Sequence, residues 1–272
     1  GVYRMPEFLT PEQLSTLSAG DLTVVSDSQN DARVNAERYA ELGIRSFIIA
    51  PQPRDTTWRF LMTVIHNQPR QWKPDEIELV RELSNRIWER LERARAEEAL
   101  RMNEERMRGL KEAFQKAVHG NAMEDSLNIL SGIVSRETLG EARSAFYLVD
   151  TAGSSLYTIR GAGNMSDAYA DKIDRCPVNE DTFACGQAVA IARPVLTRDV
   201  FEEPRWKPLL DVARDNAIRA CWSFPMKHAT GTIGTFAMYF SHPREASSKD
   251  LALADVITQA AAIIIASHTG VR

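Results

Sequence analysis

A chain of 272 residues has room for about two domains of ordinary size. With 44% apolar and 26% charged residues and a formal net charge of -4, it has the composition of a globular protein and no positive excess to draw nucleic acid. No apolar run approaches the ~20 residues that span a bilayer and no signal peptide is evident, so membrane insertion is not expected and the cytoplasm is the expected location.

In chain order, Val24-Val25 reads as a short strand closed by Asp27, and residues 33–42 as a helix. Two apolar runs, 46–50 and 60–65, flank a polar turn at 52–57 and predict an antiparallel hairpin. A helix then opens at Lys73-Pro74-Asp75-Glu76, with Pro early and acids in the first turn. From Asp75 to about His119 there is no Pro and one Gly, Gly109. Ile77, Val80, Ile87, Leu91, Ala94, Leu100, Met107, Leu110, Phe114 and Ala117 recur at helical spacing, and Glu89/Arg93, Glu97/Arg101 and Glu104/Arg108 are four apart. A helix this long cannot hide its apolar stripe in one small domain, so two chains packing along it, a homodimer, is the expectation. Gly120-Asn121 marks the break.

Residues 123–137 are helical in pattern, 144–149 and 156–159 read as strands, and 167–174 as a helix or loop leading to Cys176. Val195-Leu196 is a strand ending at Asp199, 207–216 a helix, and 220–224 with 232–240 a second hairpin around a polar turn at 226–231. A last helix over 251–267 is capped by Ser247 or Ser248.

The two halves repeat one another. Val24-Val25 with Asp27 matches Val195-Leu196 with Asp199 in position along the run. After a two-residue shift, Ile44-Arg45 and Pro51 fall on Ile218-Arg219 and Pro225, and Pro69-Arg70 on Pro243-Arg244. The first copy has only nineteen residues before Gly20 and is read as truncated. It lacks the opening helix and two strands, which leaves edges for a partner chain to cover.

The residues Cys185-Gly186-Gln187-Ala188-Val189, Pro194-Val195, Asp199, Pro204-Arg205-Trp206, 219–225, 234–240 and Pro243-Arg244 resemble a GAF domain of bacterial two-component sensors. Asp27, Ile44-Arg45, Pro51, Pro69-Arg70 and Trp72 resemble the later half of a second one, and 88–108 resembles a signalling helix. The resemblance implies an α+β fold, a GAF-like antiparallel sheet flanked by helices, in two copies joined by a long helix. The implied domains are a partial one at 1–74, the helix at 75–119 and a complete one at 120–272. It also implies the sensory input module of a signalling protein, a histidine kinase, that binds a small ligand or partner and signals through dimer-forming helices. The cofactor is unknown. The Asn-Lys…Phe…Asp-Glu signature of cyclic-nucleotide binders falls on neither copy, none of the three cysteines precedes a His as in bilin binders, and no His stands where a haem ligand would.

Candidate ligand-binding residues are Cys185, Arg219, Cys221, Trp222 and Ser223. Cys185 is a pocket or redox thiol, or a small buried residue at a tight turn. Cys176 could pair with it under oxidation, which geometry decides. Arg219, like Arg45, either anchors an anion or pairs locally with Asp199, as Arg45 would with Asp27. Trp222 faces opposite to Cys221 and Ser223 and is core or pocket lining. With no Cys-x-x-Cys or His-Glu-x-x-His spacing, no metal ligands are assigned, and with no triad or paired carboxylates, no catalytic residues. The alternatives to a sensor are a thiol-based reductase on the same scaffold and a ligand-free dimerisation module.

Overall fold

The computed structural model describes residues 4–54, 57–229 and 231–269, with side chains outside 53–59. The chain divides into two compact units, Gly1–Leu100 and Arg101–Arg272.

Unit 1 opens with a 3-10 turn at Met5–Glu7 and the helix α1, Pro11–Ser18. Thr10 caps α1 by accepting the Gln13 N–H, and Pro11 fills the first turn, where an absent N–H leaves nothing unpaired. β1 (Thr23–Val25), α2 (Ala36–Glu41), β2 (Ser46–Arg54) and β3 (Thr57–His66) follow, and the strands pair antiparallel in the order β1-β2-β3. α2 is shorter than the helix expected over 33–42, because the Asn35 side chain takes the Arg38 N–H and stands outside the helix as its cap. Strand alternation sends Phe47 and Ile49 to a core with Leu17, Val25 and Tyr39, and Ile48 and Ala50 to the opposite face. There they meet Val80 of α3, Pro74–Val118. Residues 55 and 56 of the expected turn lie outside the described residues.

α3 is one uninterrupted helix of 45 residues, ending before Gly120, whose φ of 73° stops it. Its charged pairs include Arg93–Glu97 at 2.8 Å and Arg101–Glu105 at 3.3 Å, so Arg93 turns forward to Glu97 and not back to Glu89. Exposed pairs of this kind are screened by solvent and contribute little to stability.

In unit 2 come α4 (Met123–Glu137), β4 (Arg143–Val149), β5 (Ser155–Gly163), α5 (Asp167–Ile173), β6 (Cys176–Pro177), α6 (Ala184–Ala190) and β7 (Val195–Thr197). A 3-10 segment, Pro204–Leu209, runs into α7, Leu210–Asp215. A single α-helix was expected here over 207–216; Pro208 lacks an N–H and its ring crowds the preceding turn, so the first part winds as 3-10. β8 (Ala220–His228), β9 (Gly231–Phe240) and α8 (Ser248–Thr269) complete the unit. The six-stranded antiparallel sheet runs β6-β5-β4-β9-β8-β7. A mixed α+β architecture with a curled antiparallel sheet and flanking helices is therefore present.

The sheet of unit 2 is buried on both faces. Ala220, Trp222, Phe224 and Met226 of β8 point to a core built with α4, α8 and the α3 residues Leu110 and Ala113. Cys221 points the other way, to a core with α5, α6 and α7. Gly109 allows α3 its close approach to α4: a Cβ there would meet Ile133 Cδ1 at 3.0 Å. Ser247 and Asp250 form a reciprocal cap at the start of α8, Ser247 N to Asp250 Oδ2 at 2.9 Å and Asp250 N to Ser247 Oγ at 3.2 Å. By length and mean hydropathy (1.6) α8 could cross a membrane, which no apolar run in the sequence suggested; in the fold 56% of that window is buried, and its apolar residues pack on β8 and α4.

The β1-β2-β3 sheet reproduces β7-β8-β9 residue for residue. Val24 pairs with Ile48 as Leu196 pairs with Trp222, and both hairpins carry a bulge, after Gln52 and after Met226. Arg45 N donates to His66 O (2.9 Å) as Arg219 N does to Phe240 O (2.7 Å), and Arg70 N to Ser26 O (2.9 Å) as Arg244 N to Arg198 O (3.1 Å). α1 stands where α6 does: both end just before a residue of positive φ, Gly20 at 94° and Ala192 at 52°.

Candidate functional site

Alternation along β8 sorts the candidate residues. Cys221 and Ser223 face α6, and Cys185, in the first turn of α6, comes down between them. Cys185 is thus helical, where a tight turn was the expectation. Ser223 Oγ donates to Cys185 Sγ at 3.0 Å, and the Tyr239 hydroxyl lies 3.6 Å from the same sulfur. Tyr239 sits beside Cys221 because β9 pairs them in register. Its hydroxyl meets that of Tyr147 on β4 at 2.7 Å, and its ring meets Tyr169 of α5 edge-on at 5.4 Å. All these side chains are buried.

The electrostatics follow from this packing. Burial drives the hydroxyls of Tyr147, Tyr169 and Tyr239 and the thiol of Cys221 up, keeping them protonated. Burial also opposes ionisation of Cys185, but the donors Cys221, Ser223 and Tyr239 outweigh it and hold this thiol below the ordinary cysteine range. Cys176 is pushed up to about 12 by burial.

A cavity of about 470 Å³ adjoins this core. Lys172, Arg175, Cys176, Thr182, Phe183 and Arg205 are in its wall, with Asp174 and Asp181. Phe183 closes its inner side against Trp206, edge-on at 5.2 Å. The buried Trp206 Nε1 and Tyr169 hydroxyl have no hydrogen-bond partner among the described residues. Among the described residues no group of three or more His, Cys, Asp or Glu side chains is placed to hold a metal ion.

The other two candidates lie elsewhere. Trp222 is on the opposite face of the sheet, fully buried, with Phe240 at 4.3 Å and the Arg244 guanidinium 5.4 Å over its ring. Arg219 binds Asp199 with two hydrogen bonds, at 3.2 and 2.5 Å, and lies over the Phe201 ring. Arg45 and Asp27 make the same pair in unit 1, at 2.8 Å. Of the two readings of this arginine, a local clip is the one formed: each ties the start of the middle strand to the loop after the first. Hydrogen bonds from Arg219 hold the Asp199 carboxyl below its ordinary range. A carboxylate whose folded pKa is depressed stabilises the fold above its unfolded pKa and loses that contribution as pH falls through the folded one. Asp199→Asn is therefore expected to be less stable than wild type at neutral pH, with the difference shrinking at a pH below 3.8, the ordinary Asp value. Urea unfolding at both pH values measures it, and an equal deficit at low pH would reject the assignment.

Tyr147, Tyr169, Tyr239 and Phe183 were not singled out from sequence, and Trp206 only as part of the resemblance. Tyr239 could have been found, since the hairpin register sets it opposite Cys221. Tyr147 and Tyr169 arrive from β4 and α5, whose places in the sheet order no local pattern gives.

Comparison with known proteins agrees with this architecture. The GAF domain pattern matches residues 122–266. No curated protein sequence matches the chain. Among solved structures it is similar to the GAF domain of a phosphoenolpyruvate-protein phosphotransferase from Coxiella burnetii, at 13% identity, 61% of this chain, 96% of that one and TM-score 0.48. It is also similar to free methionine-R-sulfoxide reductase from Neisseria meningitidis, at 19% identity, 60% and 89% coverage and TM-score 0.46. A third is a domain described as that of a two-component sensor histidine kinase from Sinorhizobium meliloti, at 18% identity, 54% and 92% coverage and TM-score 0.44. With the pattern spanning more than half of its residues over the curled sheet and flanking helices, the chain belongs to the GAF domain family.

Proposed function

We propose that this chain is the sensory input region of a bacterial signalling protein, a histidine kinase, with a tandem arrangement of a partial GAF domain (1–74), a signalling helix (75–119) and a complete GAF domain (120–272). A small ligand enters the cavity beside Cys176 and Phe183. The observation that carries this reading is the double burial of β8: one face touches the polar core under the cavity, the other touches α8. A ligand that shifts the strand therefore has to move the helix packed behind it. The signal needs two helix arrangements of different ligand affinity. The matching hydrogen bonds of β1-β2-β3 and β7-β8-β9 support the tandem reading.

The test is a small-molecule screen by thermal shift, followed by amide exchange on the stabilised complex. Stabilisation grows with ligand concentration for anything bound to the native state alone. The expected hit loses its effect in Phe183→Ala and alters protection in α8. No stabilising compound would favour a ligand-free module. Turnover of free methionine sulfoxide, lost in Cys185→Ser, would favour the reductase.

The active unit in this reading is a homodimer joined along α3. Leu79, Leu83 and Ile87 are 56%, 39% and 44% exposed, whereas Leu253, Ile257 and Ala261 at the corresponding turns of α8 are buried. Leu100 and Met107 continue the exposed set. Leu79, Leu83 and Ile87 replaced together by Glu are expected to convert a dimer to a monomer in light scattering at micromolar concentration. A wild-type monomer there would reject the dimer.

A further inference from the structure

In unit 2 the strand β9 is enclosed. β8 lies on one side, β4 covers the other along Gly234–Tyr239, and residues 234–240 are all buried. β3 holds the place of β9 in unit 1, with Phe60 for Gly234 and Ile65 for Tyr239. Among the described residues β3 pairs only with β2, so its outer edge is open. Residues 60–66 are half-buried or exposed, and Ile65 is 55% exposed. The run Phe60-Leu61-Met62-Thr63-Val64-Ile65-His66 holds no Pro, Gly, Lys or acid, and the bulge of the hairpin falls before it. Charges, prolines and bulges are what keep an open edge from pairing, and an apolar, β-branched run without them is a template for another strand. The other open edges among the described residues are short: three residues each in β1 and β7 and two in β6.

We propose that β3 pairs with β3 of a second copy of this chain, antiparallel about a two-fold axis at Thr63, so that two three-stranded sheets join into one. A two-fold axis perpendicular to the sheet leaves each side chain on its own face, so it passes through a residue, and Thr63 is the centre of the run. Leu61 then stands opposite Ile65, on the face that carries Phe47 and Ile49. Met62 stands opposite Val64, on the face packed with Val80 of α3. Thr63 meets Thr63, and Phe60 meets His66. Apolar pairs and threonine pairs of this kind are those that stabilise adjacent strands. Unit 2 shows what such an edge takes: β4 brings β9 an antiparallel strand with Phe146 on one face and Ala145 and Tyr147 on the other. β4 is already paired on both sides, and β3 is the strand of that character with a free edge. The surface is distinct from the ligand cavity and from the exposed stripe of α3, and the inference rests on neither.

The experiment follows amide exchange at residues 60–66 of the purified chain over a concentration series. Alternate N–H groups of an edge strand point away from its one neighbour, and these outward amides are the readout. Their exchange is expected to slow as concentration rises, because the pairing is bimolecular. Thr63→Lys and Thr63→Glu each set like charges face to face across the axis and should lose that protection. Thr63 is exposed, so neither variant should disturb the hairpin, which circular dichroism checks. An equimolar mixture of the two sets Lys opposite Glu and should regain the protection, which requires that the strand meets itself at Thr63. The variant with Leu79, Leu83 and Ile87 replaced by Glu should keep it, so this surface and that of α3 can fail separately. Fast exchange of the outward amides at every concentration of the wild-type chain overturns the proposal, and is the result expected if a strand of another protein is the occupant. A mixture no more protected than either variant alone also overturns it.

Discussion

Trp222→Ala is expected to destabilise unit 2 by about 3–5 kcal/mol, the usual cost of removing a large aromatic side chain from a closed core. The indole is fully buried between Phe240 and the residues of α8, and Arg244 covers its ring. Its Nε1 has no hydrogen-bond partner among the described residues, so truncation removes packing and breaks no side-chain hydrogen bond. The sheet is held on both sides and cannot collapse into the space, which keeps the cavity penalty near its maximum. Urea unfolding followed by circular dichroism gives the value. If Trp222 lined a ligand pocket instead, the variant would lose ligand stabilisation and little intrinsic stability. A deficit below about 1 kcal/mol would decide for that alternative.

Gly186→Ala should cost about 2–3 kcal/mol, against the direction that helix propensity gives. Gly186 lies inside α6, where Ala is ordinarily better by about 1 kcal/mol. Here a Cβ would overlap the Pro177 carbonyl oxygen and Thr182 Cγ2 and crowd Cys176 Sγ. Pro177 is held in register with Ser155, so its carbonyl cannot retreat without loosening the β5–β6 pairing. Gly132→Ala is the control: on α4 the nearest atom to its Cβ is the end of the flexible Arg136 side chain at 3.4 Å, and that variant should be neutral or slightly stabilised. Equal behaviour of the two alanines in thermal unfolding would mean that α6 can lift away from β6. In that case the wall of the cavity is softer than the contacts suggest.

Local rules carried most of the elements. Period-two alternation fixed which side of β8 each candidate faces, so the separation of Trp222 from Cys221 and Ser223 was readable before any coordinates. The self-match of the chain went further, because it set Asp27 with Arg45 and Asp199 with Arg219 in equivalent places. One pair explains the other, and both close as ion pairs. What failed locally did so for identifiable reasons. α1 and α6 were missed because each is short, eight and seven residues. Residues 207–209 were read as the start of an α-helix but close a 3-10 segment, because Pro208 removes a donor.

Composition, the 2.0 and 3.6 periods and the internal repeat determined, by themselves, an α+β chain of two related antiparallel hairpins with a long helix from Pro74 to Val118 between them. They also marked the thiols. Tertiary structure alone decided which groups meet. Tyr147, Tyr169 and Cys185 come from three different elements, β4, α5 and α6, and converge on Tyr239 because of the strand order β6-β5-β4-β9-β8-β7. Sequence periodicity reports only which face a residue occupies. The partner on that face depends on pairings between segments as far apart as Tyr147 and Tyr239, which no local propensity encodes.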